Sequence, residues 1–220
     1  MIPRDIIAAA HVPGGEDLML FRHDHDFIIM SGREELMGTR MRHSEEQLAI
    51  ETLNRLAVAA PRLLIGGYGM GFTLRAALAG MGERGRVTVA ELVPEIVEWA
   101  RGPMAELTAG CLDDPRLELK IGDVAEVIAA AAGTYDAILL DVDNGPDGLV
   151  RAENDRLYTP AGLQAARRAL RPGGLLAIWS AAPDAGFTRR LKKARFAVEE
   201  ATVFARPNRK GPRHTIWFAR

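Results

Sequence analysis

The sequence has a single cysteine, no long apolar run and no excess of charge of either sign, and each absence excludes a class of protein. Because Cys111 stands alone among the 220 residues, an intrachain disulfide is impossible and a thiolate zinc site is not expected. No apolar stretch reaches the ~18 residues that a membrane-spanning helix needs, and residues 6–10 are too short for the core of a signal peptide. The net charge of -1 gives no general attraction to nucleic acid or to an anionic membrane. We therefore expect a cytoplasmic protein that binds neither.

The composition that remains is that of an ordinary globular protein, with 48% hydrophobic and 26% charged residues. We predict a short N-terminal β extension over residues 1–43, with a β-hairpin over residues 18–30, and one nucleoside-binding catalytic domain over residues 44–220. Ser44 and Gln47 have the spacing of a capping box, which predicts a helix from there to about residue 59.

From residue 62 onward, short apolar segments alternate with amphipathic ones. This alternation is typical of right-handed βαβ units and of a parallel sheet that helices cover on both faces. The last two apolar segments, residues 197–204 and 214–218, predict a closing antiparallel hairpin, so that we expect an α/β fold with a mainly parallel seven-stranded sheet. The other predicted strands are residues 63–66, 86–91, 117–121, 137–141 and 175–180, and the predicted helices are residues 74–79, 94–106, 124–132, 160–170 and 186–193.

A glycine-rich turn follows the first strand of this predicted sheet and directly precedes a helix, where a parallel sheet places its ligand-binding crevice. A dinucleotide site has the spacing G-x-G-x-x-G, but counted from Gly67 the third glycine would fall on Phe72. The spacing present is G-x-G-x-G, with which Rossmann-like methyltransferase folds seat a nucleoside and an amino-acid tail without a pyrophosphate. We therefore predict that S-adenosylmethionine or its decarboxylated form binds at this turn, on Gly66, Gly67, Gly69 and Gly71.

Acidic residues follow at the ends of the next three predicted strands. Glu91 ends the second strand ~20 residues after the turn, where an acid accepts both ribose hydroxyls, and Leu92 follows it. Asp123 follows the third strand, where a carboxylate can take the adenine amino group while Val124 packs on the ring. Asp141 ends the fourth strand. Because the carboxyl ends of parallel strands meet at one edge of a sheet, we predict that these side chains share one crevice with the glycine turn.

These segments resemble the spermidine synthase family, the polyamine aminopropyltransferases built on the methyltransferase-like fold. The resemblance implies a small amine substrate and a homodimer, with Asp141 as the base that deprotonates the attacking amine. It places Asp143 and Tyr158 near the amine, together with His43 and Glu45 from the family's Tyr-His-Glu motif, which stands here as Arg42-His43-Ser44-Glu45. The matching segments are residues 64–71, 91–97, 122–123, 135–141, 157–159 and 170–174.

Two departures from the family's pattern leave other functions open. The family's glycine turn usually carries an aspartate where Gly69 stands, and its charge disfavours the carboxylate of full S-adenosylmethionine. Without that aspartate, a methyltransferase acting on a small molecule is the alternative. The Tyr-His-Glu substrate motif is degraded here and the loop after Asp141 is shorter than the family's, and the degraded motif makes a non-catalytic nucleoside-binding module a third hypothesis. We expect no metal, since His23 and His25 have only neighbouring aspartates to complete a site.

Overall fold

The computed structural model describes residues 5–12, 15–142 and 155–220, and within them the chain forms two β-sheets. The strands of the first are β1 (Asp5–Ala10), β2 (Leu18–His23), β3 (Asp26–Ser31) and β4 (Glu34–Gly38). They are antiparallel and lie in chain order, so that the hairpin predicted over residues 18–30 is confirmed as the central pair, β2 and β3. The sequence did not predict the two edge strands, because β1 is rich in alanine and β4 contains two glutamates, residue types that are uncommon in strands.

The second sheet is the predicted seven-stranded one. Its strands are β5 (Arg62–Gly66), β6 (Arg86–Glu91), β7 (Leu117–Ile121), β8 (Tyr135–Leu140), β9 (Leu170–Ser180), β10 (Val198–Phe204) and β11 (Arg213–Ala219). They lie in the order β10-β11-β9-β8-β5-β6-β7. The five strands from β9 to β7 in this order are parallel to one another, and β11 is antiparallel to both of its neighbours, β9 and β10. β9 begins at Leu170 rather than at residue 175, because Leu170 pairs with Tyr135 before an irregular stretch of the ladder.

Helices cover both faces of the larger sheet: α1 (His43–Arg55), α2 (Phe72–Gly80), α3 (Pro94–Arg101), α4 (Ala105–Thr108), α5 (Val124–Ala130), α6 (Asp155–Tyr158), α7 (Pro160–Ala169) and α8 (Ala185–Lys193). The single helix predicted over residues 94–106 is two helices, since the backbone leaves helical geometry at Gly102 (φ -104, ψ -107). Two short 3-10 turns lie at Thr39–Met41 and Cys111–Asp113.

The capping box predicted at Ser44 and Gln47 is wrong. α1 begins at His43, and no side chain caps its first turn. The Ser44 hydroxyl is buried and lies 2.7 Å from Nδ1 of His214 on β11, so that it faces the sheet instead of the first N–H groups of the helix. The helix also ends at Arg55, before the predicted residue 59.

Apolar side chains form one cluster on each face of the larger sheet. One of these clusters contains Leu20 and Ile29 of the N-terminal sheet together with Leu48 of α1 and Leu139 of β8. The two sheets therefore share a core, and the predicted domain boundary between residues 43 and 44 falls at the start of α1. That division into two parts stays a prediction. No helix within the described ranges is long and apolar enough to cross a membrane.

Candidate active site

A cavity lies at the edge of the larger sheet where its parallel strands end. Gly67 and Gly69 line it after β5, Glu91 at the end of β6, Asp123 after β7 and Asp141 after β8. The predicted convergence of these strand ends on one crevice is therefore present in the fold. The other lining residues are Val12, Glu16, Leu18, Ser31, Leu36, Met37, Glu45, Ala90, Leu92, Val93, Ile96, Gly122, Val124, Val142 and Trp179.

The glycine turn packs directly against the strand that carries Asp141. Gly67 has a φ of 86°, and a Cβ added there would lie 2.5 Å from the main-chain oxygen of Asp141. A larger residue would therefore collide with backbone, which cannot move aside as a flexible side chain does. Gly66 and Gly71 shape the turn from outside the cavity, since Gly66 abuts Val124 and Gly71 precedes α2 with a left-handed φ of 77°.

Met37 of β4 covers Gly69, where the family's turn usually has an aspartate. A Cβ at position 69 would lie 3.0 Å from Sδ of Met37. The thioether side chain therefore takes the space into which that aspartate would extend. From the sequence, the absence of an aspartate at position 69 indicated space for the carboxylate of full S-adenosylmethionine. The Met37 side chain fills part of that space.

Glu91 is 5% exposed, and both oxygens of its carboxylate accept hydrogen bonds from the backbone. The N–H of Tyr68, in the glycine turn, donates to Oε2 over 2.8 Å, and the N–H of Val93 donates to Oε1 over 2.8 Å. Burial raises the pKa of Glu91, and these amide donors oppose the rise. The N–H groups of Gly69 and Leu92 also act on this carboxylate, which holds the turn in place and lines the cavity where a ligand hydroxyl could reach it.

Asp123 begins α5 and has two partners of its own. Its Oδ1 accepts the N–H of Ala125 over 2.6 Å, which makes it the N-cap of the helix. Its Oδ2 forms an ion pair with the guanidinium of Arg156 on α6, which the sequence did not predict. Asp123 therefore lines the cavity with its charge balanced, and Val124 lies beside it as predicted.

Asp141 follows the last residue of β8 and receives a hydrogen bond from Thr73 at the start of α2. Thr73 Oγ1 donates to Asp141 Oδ2 over 2.5 Å. Burial raises the pKa of Asp141 to about 6, and the Thr73 hydrogen bond opposes that rise. A carboxyl group with a pKa near neutrality in a cavity is suited to accept a proton from a substrate.

Of the two residues predicted from the upstream motif, the structure brings one to the cavity. Glu45 of α1 lines it, and the pKa of its carboxyl is raised well above the usual range by burial, by the charge of Asp141 and by that of Glu46. His43 is not among the lining residues, and its Nδ1 lies 3.7 Å from the carboxylate of Glu46. Both residues belong to α1, and residues two positions apart on a helix point to different faces.

Tyr158 and Asp143 complete the predicted substrate residues. Tyr158 is 1% exposed and packs edge-to-face against Phe187 of α8, with ring centroids 5.5 Å apart. It belongs to the core cluster on the α5, α7 and α8 side and is not one of the described lining residues. Asp143 lies outside the residues that the structure describes.

Several lining residues come from parts of the chain that no motif marked. The N-terminal sheet and its loops supply one wall, including Glu16, Ser31 and Met37. Trp179, near the end of β9, lies at a strand end like the predicted acids, and the strand-end rule could have found it. Glu16 and Met37 have no comparable signal, because they reach the cavity only through the packing of one sheet on the other.

The cavity is strongly anionic. Its described lining contains five acids, Glu16, Glu45, Glu91, Asp123 and Asp141, and no lysine, arginine or histidine. Arg156 balances Asp123, and backbone amides surround Glu91, which leaves Glu16, Glu45 and Asp141 as the lining acids without such a partner. Across the described parts of the chain, no group of three or more His, Cys, Asp and Glu side chains is placed to hold a metal ion.

Comparisons with known proteins agree with this geometry. The family model described as the spermine/spermidine synthase domain matches residues 58–185. A polyamine aminopropyltransferase from Mycobacterium tuberculosis (strain ATCC 25618 / H37Rv) is 32% identical over 183 residues, which cover 81% of this chain and 33% of that protein. One from Korarchaeum cryptofilum (strain OPF8) is 35% identical over 131 residues, covering 60% of this chain and 38% of that protein. The chain thus spans less than half the length of either relative.

Solved structures show the same fold. The spermidine synthase of Thermotoga maritima superposes with a TM-score of 0.77 at 22% identity, covering 97% of this chain and 72% of that one. A spermidine synthase solved in complex with the transition-state analogue AdoDATO gives a TM-score of 0.76 at 22% identity, with coverage of 97% and 71%. The likeness extends over both sheets of this chain, since nearly its whole length is covered.

Proposed function

Since the chain belongs to the spermine/spermidine synthase family, we propose that it is a transferase that moves the aminopropyl group of decarboxylated S-adenosylmethionine to a small amine. The observation that carries this proposal is the anionic lining of the cavity at the strand ends, in which no described residue is cationic. Both reactants are cations, one a sulfonium and the other an ammonium. The homodimer and the cytoplasmic location stay predictions.

The nucleoside of the donor would lie along the ends of β5, β6 and β7. In this proposal the carboxylate of Glu91, which lines the cavity at the end of β6, accepts the ribose hydroxyls. Asp123 accepts the adenine amino group beside its ion pair with Arg156, and Leu92 and Val124 pack on the nucleoside. Gly67 and Gly69 let the ligand approach the main chain.

The lining favours the decarboxylated donor over full S-adenosylmethionine. The full cofactor would bring a carboxylate into a cavity that five acids line, among which Asp141 has no cationic partner in the described lining, and like charges repel strongly where solvent is displaced. Met37 also takes space beside Gly69 that this carboxylate would need. The aminopropyl tail of the decarboxylated donor is instead a cation, which these acids attract.

In the transfer itself, the only chemical step asked of a protein side chain is to accept a proton. The attacking amine is an ammonium ion at neutral pH, so Asp141 would take one proton from it before its nitrogen attacks the aminopropyl carbon next to sulfur. A carbon–nitrogen bond forms as the carbon–sulfur bond breaks, and the bonding electron pair stays on sulfur. The products are the aminopropylated amine, still a cation, and neutral methylthioadenosine, with one proton passed on to solvent.

We expect the purified protein to form methylthioadenosine when it is incubated with decarboxylated S-adenosylmethionine and 1,4-diaminobutane. Calorimetry should show that the decarboxylated donor binds at least about tenfold more tightly than the full cofactor, which corresponds to ~1.4 kcal/mol. Equal or tighter binding of the full cofactor, together with methyl transfer from it, would instead support the small-molecule methyltransferase. Binding of methylthioadenosine without turnover of either donor would support the non-catalytic module.

A further inference from the structure

Thr73 lies between two of the lining acids and contacts the side chain of Asp141 and the main chain of Glu45. It is 2% exposed at the start of α2, and its Oγ1 lies 2.5 Å from Asp141 Oδ2 and 3.2 Å from the main-chain oxygen of Glu45. A hydroxyl has one proton and donates to one acceptor at a time. The shorter distance and the negative charge both favour Asp141 as the acceptor, because hydrogen bonds to charged groups are the shorter and stronger ones.

The two acids differ in what surrounds them. Asp141 has the Thr73 hydroxyl as a donor to its carboxylate. Within the described residues, no hydrogen-bond donor contacts the side-chain carboxyl of Glu45, and it has the like charges of Asp141 and Glu46 near it. Two carboxylates in one partly buried site cannot both ionise without a large electrostatic cost, so they titrate as a pair. The group with the better donor keeps the negative charge.

We propose that Glu45 and Asp141 hold one proton between them at neutral pH, and that the Thr73 hydroxyl keeps this proton on Glu45. Asp141 then meets the substrate as a carboxylate. Thr73 is a positioning residue in this scheme, since it acts through Asp141 and not on the substrate. Only the catalytic consequence rests on the proposed function; the sharing of the proton is a property of the protein alone.

The assignment gives Glu45 a defined part in the transfer. A neutral Glu45 does not compete with Asp141 for the proton of the ammonium ion. Once Asp141 has taken that proton, its charge is lost and Glu45 can ionise more easily, because the like charge beside it has gone. Glu45 thereby offers the released proton a route from the cavity, with a new negative charge forming beside the cationic product amine.

Other groups around the pair leave its asymmetry in place. The described lining contains no lysine or arginine, and the imidazole of His214 on β11 contacts Ser44 and has its pKa lowered by burial. The charged and titratable groups around the pair are Glu91 and Asp123 at the neighbouring strand ends, Glu16 beside the N-terminal sheet, and Glu46, which follows Glu45 in α1. His43 and His214 lie on the elements that pack here but are not lining residues.

Carbon-13 NMR of side-chain carboxyls tests the proton sharing without any substrate. In the wild type, we expect Asp141 to titrate at about pH 6 and Glu45 to titrate above it. Thr73→Val, which removes the hydroxyl at nearly constant volume, should move the Asp141 midpoint up by about one pH unit, and Thr73→Ser should return it. Glu45→Gln should remove the upper step and leave the lower one, and Asp141→Asn should lower the Glu45 midpoint.

Any of three results would overturn the inference: an Asp141 midpoint that is the same in Thr73→Val and wild type, a Glu45 midpoint below that of Asp141, or a Glu45 midpoint that ignores Asp141→Asn. If Thr73→Val does not fold, Glu45→Gln and Asp141→Asn still decide whether the pair is coupled, and Thr73→Ala decides the part of the hydroxyl. Because these titrations need no turnover, they are read even if the wild type transfers no aminopropyl group.

The pH dependence of kcat/KM tests whether the pair takes part in catalysis, because its acid limb reports the pKa of the proton acceptor. With decarboxylated S-adenosylmethionine and 1,4-diaminobutane, Thr73→Val should displace this limb to higher pH by the same step as the NMR midpoint, and Thr73→Ser should restore it. A purely structural role for Thr73 would instead lower the rate at every pH without moving the limb. A wild type that fails to turn over removes the proposed function alone.

Discussion

Asp141→Asn should lower kcat by about 10²- to 10⁴-fold, which is the contribution typical of a positioned proton acceptor. Asparagine has nearly the same shape but cannot take a proton from an ammonium ion. Donor affinity should change much less, because Glu91 and Asp123 are the residues that would hold the nucleoside. Turnover is measured as release of methylthioadenosine with both substrates at saturation, and donor affinity by calorimetry.

The matched control is Asp113→Asn. The side chain of Asp113 is 77% exposed and forms a surface ion pair with Arg101, so its replacement should leave kcat at the wild-type value. If Asp141→Asn retains more than about a tenth of the wild-type kcat, Asp141 is not the base.

Asp141→Asn should be more stable than the wild type at alkaline pH. Burial raises the pKa of Asp141 from 3.8 to about 6, so the folded chain holds this proton more tightly than the unfolded chain does. The wild-type free energy of unfolding therefore falls as pH rises through the range between these values, by about 3 kcal/mol in total. Asparagine does not titrate and escapes that loss.

Urea denaturation of both proteins measures this effect as the difference between their free energies of unfolding. We expect the difference to be about 2 kcal/mol larger at pH 8 than at pH 4, in favour of Asp141→Asn. A difference that stays constant across this range would mean that Asp141 is not held at a raised pKa in the folded chain.

Glu91→Gln should weaken the binding of methylthioadenosine by about 10²-fold. Its carboxylate accepts the N–H groups of Tyr68 and Val93, and an amide side chain has only one accepting oxygen. One of these buried N–H groups loses its partner, and the two ribose hydroxyls of the ligand lose a charged acceptor. The orphaned N–H costs the free and the bound protein alike, so the change in affinity comes from the two ribose hydroxyls. Losses of about 1.5 kcal/mol from each give the expected factor, which calorimetry measures.

The control for this variant is Glu98→Gln, an exposed position on α3 that follows the same strand end. It should bind methylthioadenosine as the wild type does. Glu91→Gln should also lower the free energy of unfolding by about 2 kcal/mol through the orphaned amide. Binding within about threefold of the wild type would show that Glu91 braces the turn without contacting the nucleoside.

The strand ends of the site could be predicted because they depend on local patterns. Short apolar strands are visible in the sequence, and the rule that parallel strands end at one edge of a sheet then brings Glu91, Asp123 and Asp141 together. The glycine turn is visible for a similar reason, since Gly67 has a backbone conformation that other residues rarely adopt and lies against the backbone of Asp141.

The remaining parts of the site depend on side-chain directions and on contacts between residues far apart in the sequence. Neither can be predicted from local patterns in one sequence. His43 and Glu45 are two residues apart, and only the packing of α1 decides which of them faces the cavity. The ion pair of Asp123 with Arg156 joins the start of α5 to α6, and these two elements are far apart in the sequence. Met37 reaches Gly69 through the docking of the N-terminal sheet, whose edge strands have weak sequence signals.

The contact between Gly67 and the main chain of Asp141 also fixes the distance between the proposed donor-binding turn and the proposed proton acceptor. β5 and β8 are hydrogen-bonded neighbours, so this separation follows from the spacing of adjacent strands, about 4.8 Å, and not from any loop. An acceptor amine of a different length would therefore have to be accommodated by other walls of the cavity. The N-terminal sheet and α1 are the parts of this scaffold in which acceptor preference is free to diverge.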